Sequence, residues 1–188
     1  KSDALRHFGL NENHPVLLMV GGSLGARAMN QVMEAHLEEL LNKGYQVIWQ
    51  TGKSFASQAE KVCSGKQGVW TGAFIEQMEM AYAASTLIVA RAGAMTVAEI
   101  AVVAKPAIFV PFPHAAEDHQ TANAMQLVKH QAGLLIADHA AATQLISAVI
   151  ELCIDEEKRK QMTEQIRPMG IRDADQRVAI ELLKRINA

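Results

Sequence analysis

Six short apolar runs, each closed by a turn and alternating with stretches of helical periodicity, decide what this chain can fold into. The first, Pro15–Val20, is unbroken and ends in Gly21-Gly22. An unbroken run of that length fits a parallel strand covered on both faces rather than a half-solvated one. Gln46–Gln50, Val69–Thr71, Thr86–Ala90, Pro106–Pro111 and Gly133–Ile136 repeat the pattern. Between them, Met29, Met33, Leu37 and Leu40/Leu41 recur at helical spacing on a helix that Ser23-Leu24-Gly25-Ala26 opens and Gly44 stops. Further helices are expected over about 54–63, Ile75–Ala83, Met95–Ala104 and His119–His130, and Leu5–Leu10 reads as a short helix or turn. Strand and helix alternate from Pro15 to Ile136. The predicted fold class is therefore α/β, a Rossmann-like doubly wound parallel sheet of about six strands. Ala140–Ile154, Glu156–Ile166 and Asp175–Ile186 read as three terminal helices, with Pro168-Met169-Gly170 breaking the chain before the last. No linker, repeat or low-complexity segment divides the 188 residues, which read as one domain.

Bulk properties exclude several classes. With 18 basic and 20 acidic residues and no long basic run, nucleic-acid binding has little electrostatic support. Cys63 and Cys153 fit no metal or redox spacing and read as buried thiols of a reducing compartment. No apolar run approaches the roughly 20 residues that span a bilayer. Lys1-Ser2-Asp3-Ala4 carries no signal-peptide pattern and no initiator methionine, so a piece of a longer protein is expected.

Candidate chemistry sits at the strand ends. Gly21-Gly22-Ser23-Leu24-Gly25 lets backbone approach a phosphate, and Ser23 can either cap the following helix or donate to an anion. It is neither G-x-G-x-x-G nor Walker A, and a plain tight turn would look the same. Arg27 reads as a phosphate partner or a solvated helix residue. Thr71-Gly72-Ala73-Phe74-Ile75 can offer open backbone to a flat base edge, with Phe74 or Ile75 packed on the ring, or is a plain helix entry. Ala90–Ile100 joins a buried strand to a helix through Gly93. Arg91 there is a phosphate contact, an interdomain contact or a surface charge. Glu99, one turn into that helix among Val97, Ile100 and Ala101, is placed to accept sugar hydroxyls or to face water. His119, Gln120 and Asn123 are candidates for polar contacts to a sugar. His114 and His119 are five apart across a loop–helix junction, so a metal site is not expected. Asp173-Ala174-Asp175 spells D-x-D but precedes an amphipathic helix and reads as a cap.

Taken in order, Gly21–Arg27, Thr71–Ile75, Arg91–Ile100, Pro106–Phe112 and His119–Ala124 resemble the carboxyl-terminal half of the MurG-type transferase family, over nearly the whole chain. That family moves N-acetylglucosamine from UDP-GlcNAc to lipid I, making lipid II for peptidoglycan by inverting transfer. The resemblance implies one half of a GT-B glycosyltransferase, the UDP-GlcNAc-binding half. By resemblance, Ser23 contacts donor phosphate, Ile75 offers backbone to uracil beside Phe74, Ala94, Met95 and Thr96 face the diphosphate, and Glu99 binds the ribose hydroxyls. Val97 and Ala98 complete that stretch, and Arg91, His119 and Gln120 join the donor site, the last two at the GlcNAc hydroxyls. Leu24 stands where some members carry Gln. No cofactor and no metal are implied, because helix N-termini and glycine-turn amides stabilise the leaving group.

The amino-terminal half, with the lipid I site, the general base and the contact with the cytoplasmic face of the bacterial inner membrane, is expected to lie outside this chain. The fragment is therefore expected to be inactive alone. The helix at residues 173–187, with Val178, Leu182, Leu183 and Ile186 on one side, is the crossover-type element of such folds. Its apolar face is expected to be exposed here or repacked in a dimer. Another GT-B sugar transferase and a non-catalytic nucleotide-sugar module are the alternatives.

Overall fold

The computed structural model describes residues 1–186. Six strands, β1 (Val16–Val20), β2 (Gln46–Gln50), β3 (Val69–Gly72), β4 (Leu87–Ala90), β5 (Ala107–Phe109) and β6 (Leu134–Leu135), form one sheet in the order 3-2-1-4-5-6. Every adjacent pair is parallel. The order reverses between β1 and β4, which places the topological switch point of a doubly wound sheet there. All residues of β4, and all of β1 except half-buried Val20, are buried.

The alternation along each strand divides the core into two layers. Leu17, Met19, Val47, Trp49 and Val89 pack against α2 (Arg27–Asn42) and α7 (Ala141–Ile154) through Met29, Met33, Leu37, Leu145 and Val149. Leu18, Ile48, Ile88, Ala90 and Phe109 face the other way. They meet Leu5 and Phe8 of the α1 segment (Ser2–His7 and its cap), Tyr82 of α4 (Met78–Ala84), Ile100 of α5 (Ala94–Val103) and Leu127 of α6 (His119–Val128). The remaining α-helices among the described residues are α3 (Ala56–Cys63), α8 (Glu156–Ile166) and α9 (Ala174–Ile186).

Several boundaries differ from the sequence reading for local reasons. The helix after β1 starts at Arg27, not at Ser23, because Gly25 N–H donates to Gly22 C=O and closes a turn first. Its cap is Ala26, and no side chain caps it, so Ser23 is not an N-cap. The first helix covers Ser2–His7 rather than Leu5–Leu10. The fourth begins at Met78, three residues later than expected, because Ala73–Gln77 is still occupied in leaving β3. In α9 no residue is buried, and Val178, Ile180, Leu182, Leu183 and Ile186 are exposed. Asn187, assigned to that helix from the sequence, lies outside the described residues. Asp173 pairs with Arg177 at 2.9 Å, and that hydrogen bond holds its carboxyl below the usual carboxylate range. Asp173 is thus engaged by a side-chain pair one turn into α9.

Candidate functional site

The turns at the carboxyl ends of the strands carry the candidate residues, and buried side chains set how those turns sit. Past β1, β2 and β3 the organiser is Gln50, which is 2% exposed. Its Oε1 accepts from Gly21 N at 3.0 Å and Gly22 N at 3.1 Å. Its Nε2 donates to Gly22 O at 2.9 Å and Ala73 O at 2.8 Å. All four amide positions are used, so one side chain fixes the glycine turn against the turn that presents Phe74. Beneath it, Trp49 Nε1 donates to Asn30 Oδ1, and Asn30 Nδ2 donates to Thr51 O. Gly25 and Gly52 lie backbone to backbone: a Cβ on Gly52 would stand 2.4 Å from Gly25 N. Ser23 and Leu24 are exposed at the tip of this turn. Phe74 is 63% exposed, whereas Ile75 is 3% exposed and packs in the second core layer, so the accessible flat ring belongs to Phe74.

Past β4, β5 and β6 the ties are Arg91, Gln120 and Asn123. Arg91 is neither a free surface charge nor open to solvent: its side chain is 12% exposed. Its Nη1 donates to Val110 O and Pro111 O, both at 3.0 Å, and pairs with Asp138 Oδ1, while the guanidinium lies over the Phe112 ring. Its geometry makes it a brace for three loops. Gln120 Oε1 accepts from Ala92 N at 3.2 Å and Phe112 N at 2.9 Å, and Asn123 Nδ2 donates to Ala92 O at 3.1 Å. Among the described residues, Gln120 Nε2 has no hydrogen-bond partner and remains a free donor. His119 Nδ1 stands 2.7 Å from Ala116 O. A carbonyl only accepts, so Nδ1 carries the proton and Nε2 is left as an acceptor when the ring is neutral.

Between these two groups of turns, α5 begins. Its cap is Gly93, no side chain caps it, and no acidic residue lies in its first turn. The amides of Ala94, Met95 and Thr96 therefore have no intrahelical acceptor and sit at the positive end of the helix dipole. Ala94 and Met95 are exposed and Thr96 is half-buried, while Val97 is buried and Ala98 exposed. Glu99, about 8 Å further along the axis at 1.5 Å per residue, is exposed. Its Oε2 accepts from Tyr82 Oη at 2.8 Å. Burial, and next the bond to Glu99, push the Tyr82 phenol well above its ordinary range, so it stays a donor. Tyr82 thereby fixes one carboxylate oxygen of Glu99 and leaves the other open.

An uncapped helix N-terminus, a glycine turn, an accessible aromatic ring and an oriented carboxylate along one sheet edge suit an anionic ligand with a ring and hydroxyls. A family model, the glycosyltransferase family 28 C-terminal domain, matches residues 16–178. The chain belongs to this family. The family 28 domain here is 38% identical to the UDP-N-acetylglucosamine--N-acetylmuramyl-(pentapeptide) pyrophosphoryl-undecaprenol N-acetylglucosamine transferase of Parabacteroides distasonis, a match covering 100% of this chain and 51% of that protein. It is 34% identical to the protein of the same name in Flavobacterium psychrophilum, again with 100% and 51% covered. The chain thus spans about half the length of the curated relatives it matches.

The crystal structure of Acinetobacter baumannii MurG superposes with a TM-score of 0.81 at 28% identity, covering 97% of this chain and 52% of that one. The C-terminal CMP-Kdo binding domain of WaaA from the same organism shares the fold alone, at a TM-score of 0.66 and 15% identity over 89% of this chain and 94% of that one. The family 28 sheet is accordingly a Rossmann-like half of a GT-B glycosyltransferase, as the strand–helix alternation and the five motifs imply. The resemblance to the MurG-type transferases stands on the same matches.

Proposed function

We propose that this chain is the donor-binding half of an N-acetylglucosaminyltransferase that transfers GlcNAc from UDP-GlcNAc to lipid I, forming lipid II. The observation that carries the reading is the open N-terminus of α5, on the same sheet edge as the exposed Phe74 ring and followed along the helix by the Tyr82-oriented Glu99 carboxylate. In this reading the uracil stacks on Phe74 with the Ile75 backbone beside it. Ser23 and the amides of Ala94, Met95 and Thr96 hold the diphosphate, and Glu99 takes the ribose hydroxyls on its free oxygen. Val97 and Ala98 carry Glu99 at the right helical phase, Val97 by anchoring that face in the core. His119 Nε2 and Gln120 Nε2, both without partners among the described residues, meet the GlcNAc hydroxyls. Arg91 acts here by shaping the loop that carries them and not by touching phosphate.

As the acceptor hydroxyl attacks the anomeric carbon, the bond to UDP breaks and negative charge grows on the leaving diphosphate. Amides already aimed at that position stabilise the charge without reorganising. The acceptor site, the general base and any contact with the membrane belong, in this reading, to the other half of a two-domain enzyme. That half also covers the apolar face of α9. Among the described residues no helix is long and apolar enough to cross a membrane.

Calorimetric titration with UDP-GlcNAc tests the proposal. Saturable binding is expected, weakened about 10- to 100-fold in Glu99→Ala, since hydrogen bonds to a charged group contribute about 1.5–3 kcal/mol. A folded sample that takes up no UDP-GlcNAc at millimolar ligand would overturn the reading. Binding that Glu99→Ala leaves unchanged would overturn the ribose assignment alone.

A further inference from the structure

At the opposite edge of the sheet, where β4 and β5 begin, a cavity of about 870 Å³ opens between the end of α5 and the face of α8. Six of the chain's 18 lysines and arginines line it: Lys1, Lys105, Arg159, Lys160, Arg167 and Arg172. Glu156 is the one carboxylate among its lining residues. The chain as a whole carries a net charge of −2, so this concentration of one sign is local. Among the described residues, seven of the other twelve lysines and arginines pair with carboxylates. None of these six does so among the described residues.

Helix ends account for half of the cluster. Lys105 Nζ donates to Ser85 O at 2.7 Å at the end of α4. Arg159 Nη1 donates to Leu152 O and Cys153 O at the end of α7, and Arg172 Nη2 donates to Val102 O at the end of α5. Cations suit helix C-termini, and these three need no further explanation for being there. The bonds nonetheless fix their heads at the cavity and leave most of their N–H donors unused, since an ammonium has three and a guanidinium five. The side chains of Lys1, Lys160 and Arg167 have no hydrogen-bond or ion-pair partner among the described residues; Arg167 stands at the C-cap of α8, where a cation suits the helix end, whereas Lys1 and Lys160 are at no helix C-terminus. Their like charges repel those already placed. Burial, and then the charge of Lys1, push the Lys105 ammonium below its ordinary range.

We propose that this cavity binds a phosphate-rich anion, either a soluble oligophosphate or the headgroup of an anionic phospholipid. Forked guanidinium donors and point-charge ammoniums converging on one concavity are the arrangement that recognises clustered phosphate oxygens. The site is separate from the donor edge, a strand length away, roughly 16 Å at 3.3 Å per residue. It stands whether or not the donor reading does.

The test uses inorganic tripolyphosphate in calorimetry, with excess UDP present so that the donor edge is occupied, and co-sedimentation with phosphatidylcholine vesicles with and without phosphatidylglycerol. The Lys160→Glu/Arg167→Glu double variant removes two exposed, unpartnered cations and is expected to fold normally. It is expected to weaken binding by about tenfold or more. Lys61→Gln, at an exposed charge on α3 outside the cavity, is expected to leave it unchanged. Tripolyphosphate binding lost in the double variant identifies a soluble anion, and loss of phosphatidylglycerol-dependent sedimentation alone identifies a lipid headgroup. Absence of both kinds of binding, or binding that the double variant leaves intact, overturns the proposal. Should the charge reversal impair folding, Lys160→Gln/Arg167→Gln carries the same comparison.

Discussion

Gly25→Ala is expected to lower the unfolding free energy by about 3 kcal/mol or more, and to shift the thermal midpoint down by about 10 °C. Two effects add. Gly25 has φ +78°, in the left-handed region, where a side chain costs roughly 1–2 kcal/mol. An alanine Cβ would also stand 2.2 Å from Thr51 O and 3.2 Å from Gly52 Cα. Both are backbone atoms, at the end of a buried strand, and neither can rotate away. Gly22 separates the two effects. It has φ +83° with nothing within 4 Å of an added Cβ, so Gly22→Ala is expected to cost only the conformational part, about 1 kcal/mol. Urea denaturation of the two variants measures the difference. Equal losses would show that the two turns separate more readily than their packing implies.

Gln50→Leu is expected to cost about 3 kcal/mol and to weaken nucleotide binding as well. The substitution fills similar space but strands Gly21 N and Ala73 O, and buried groups left without partners cost about 1–3 kcal/mol each. Gln50→Glu tests the donor side separately. It keeps an acceptor toward Gly21 and Gly22 but turns a carboxylate oxygen toward Gly22 O and Ala73 O, and it buries a charge. It is expected to be at least as damaging as leucine. Denaturation with calorimetric UDP titration reports both effects. If Gln50→Leu unfolded like the parent and bound UDP equally well, the turn after β1 would hold its shape without Gln50.

What was readable in advance followed from chemistry local in sequence. Val16–Val20 and Leu87–Ala90 announce buried parallel strands because a sheet covered on both faces needs apolar residues at every position. Gly93 announces an open helix start because it brings no capping side chain. The start of α2 departs from its composition for an equally local reason: Ser23 has the chemistry of a cap, but the Gly22–Gly25 turn intervenes. The bracing was not readable. Tyr82 reaches Glu99 across 17 residues, and Gln50 reaches Gly21 across 29. Neither partner is marked by spacing, and the one trace of Gln50 is a polar residue closing an otherwise apolar strand. Arg91 shows the same limit. Its charge suggested phosphate, surface or interdomain contact, and only the positions of Val110, Pro111 and Asp138 reveal where it points.

The side-chain ties at the carboxyl edge fall into two sets that do not touch. Gln50, Asn30 and Thr51 join the loops past β1, β2 and β3. Arg91, Gln120 and Asn123 join those past β4, β5 and β6. Among the described residues no side-chain hydrogen bond or ion pair joins these two sets directly; the one link beside them is Tyr82 Oη of α4 donating to Glu99 Oε2 of α5. Mechanically the edge is two stiff plates meeting along a seam above β1 and β4, held together there by strand pairing underneath. A molecule lying across the seam, with one end on the Phe74 plate and the other on the α5 plate, would add a brace at the edge itself, beyond the Tyr82–Glu99 bond between the helices. Its binding free energy would then depend on the angle between the plates as well as on the contacts within each. A substitution in the β1–β4 ladder, far from any ligand atom, would change affinity while leaving both plates intact.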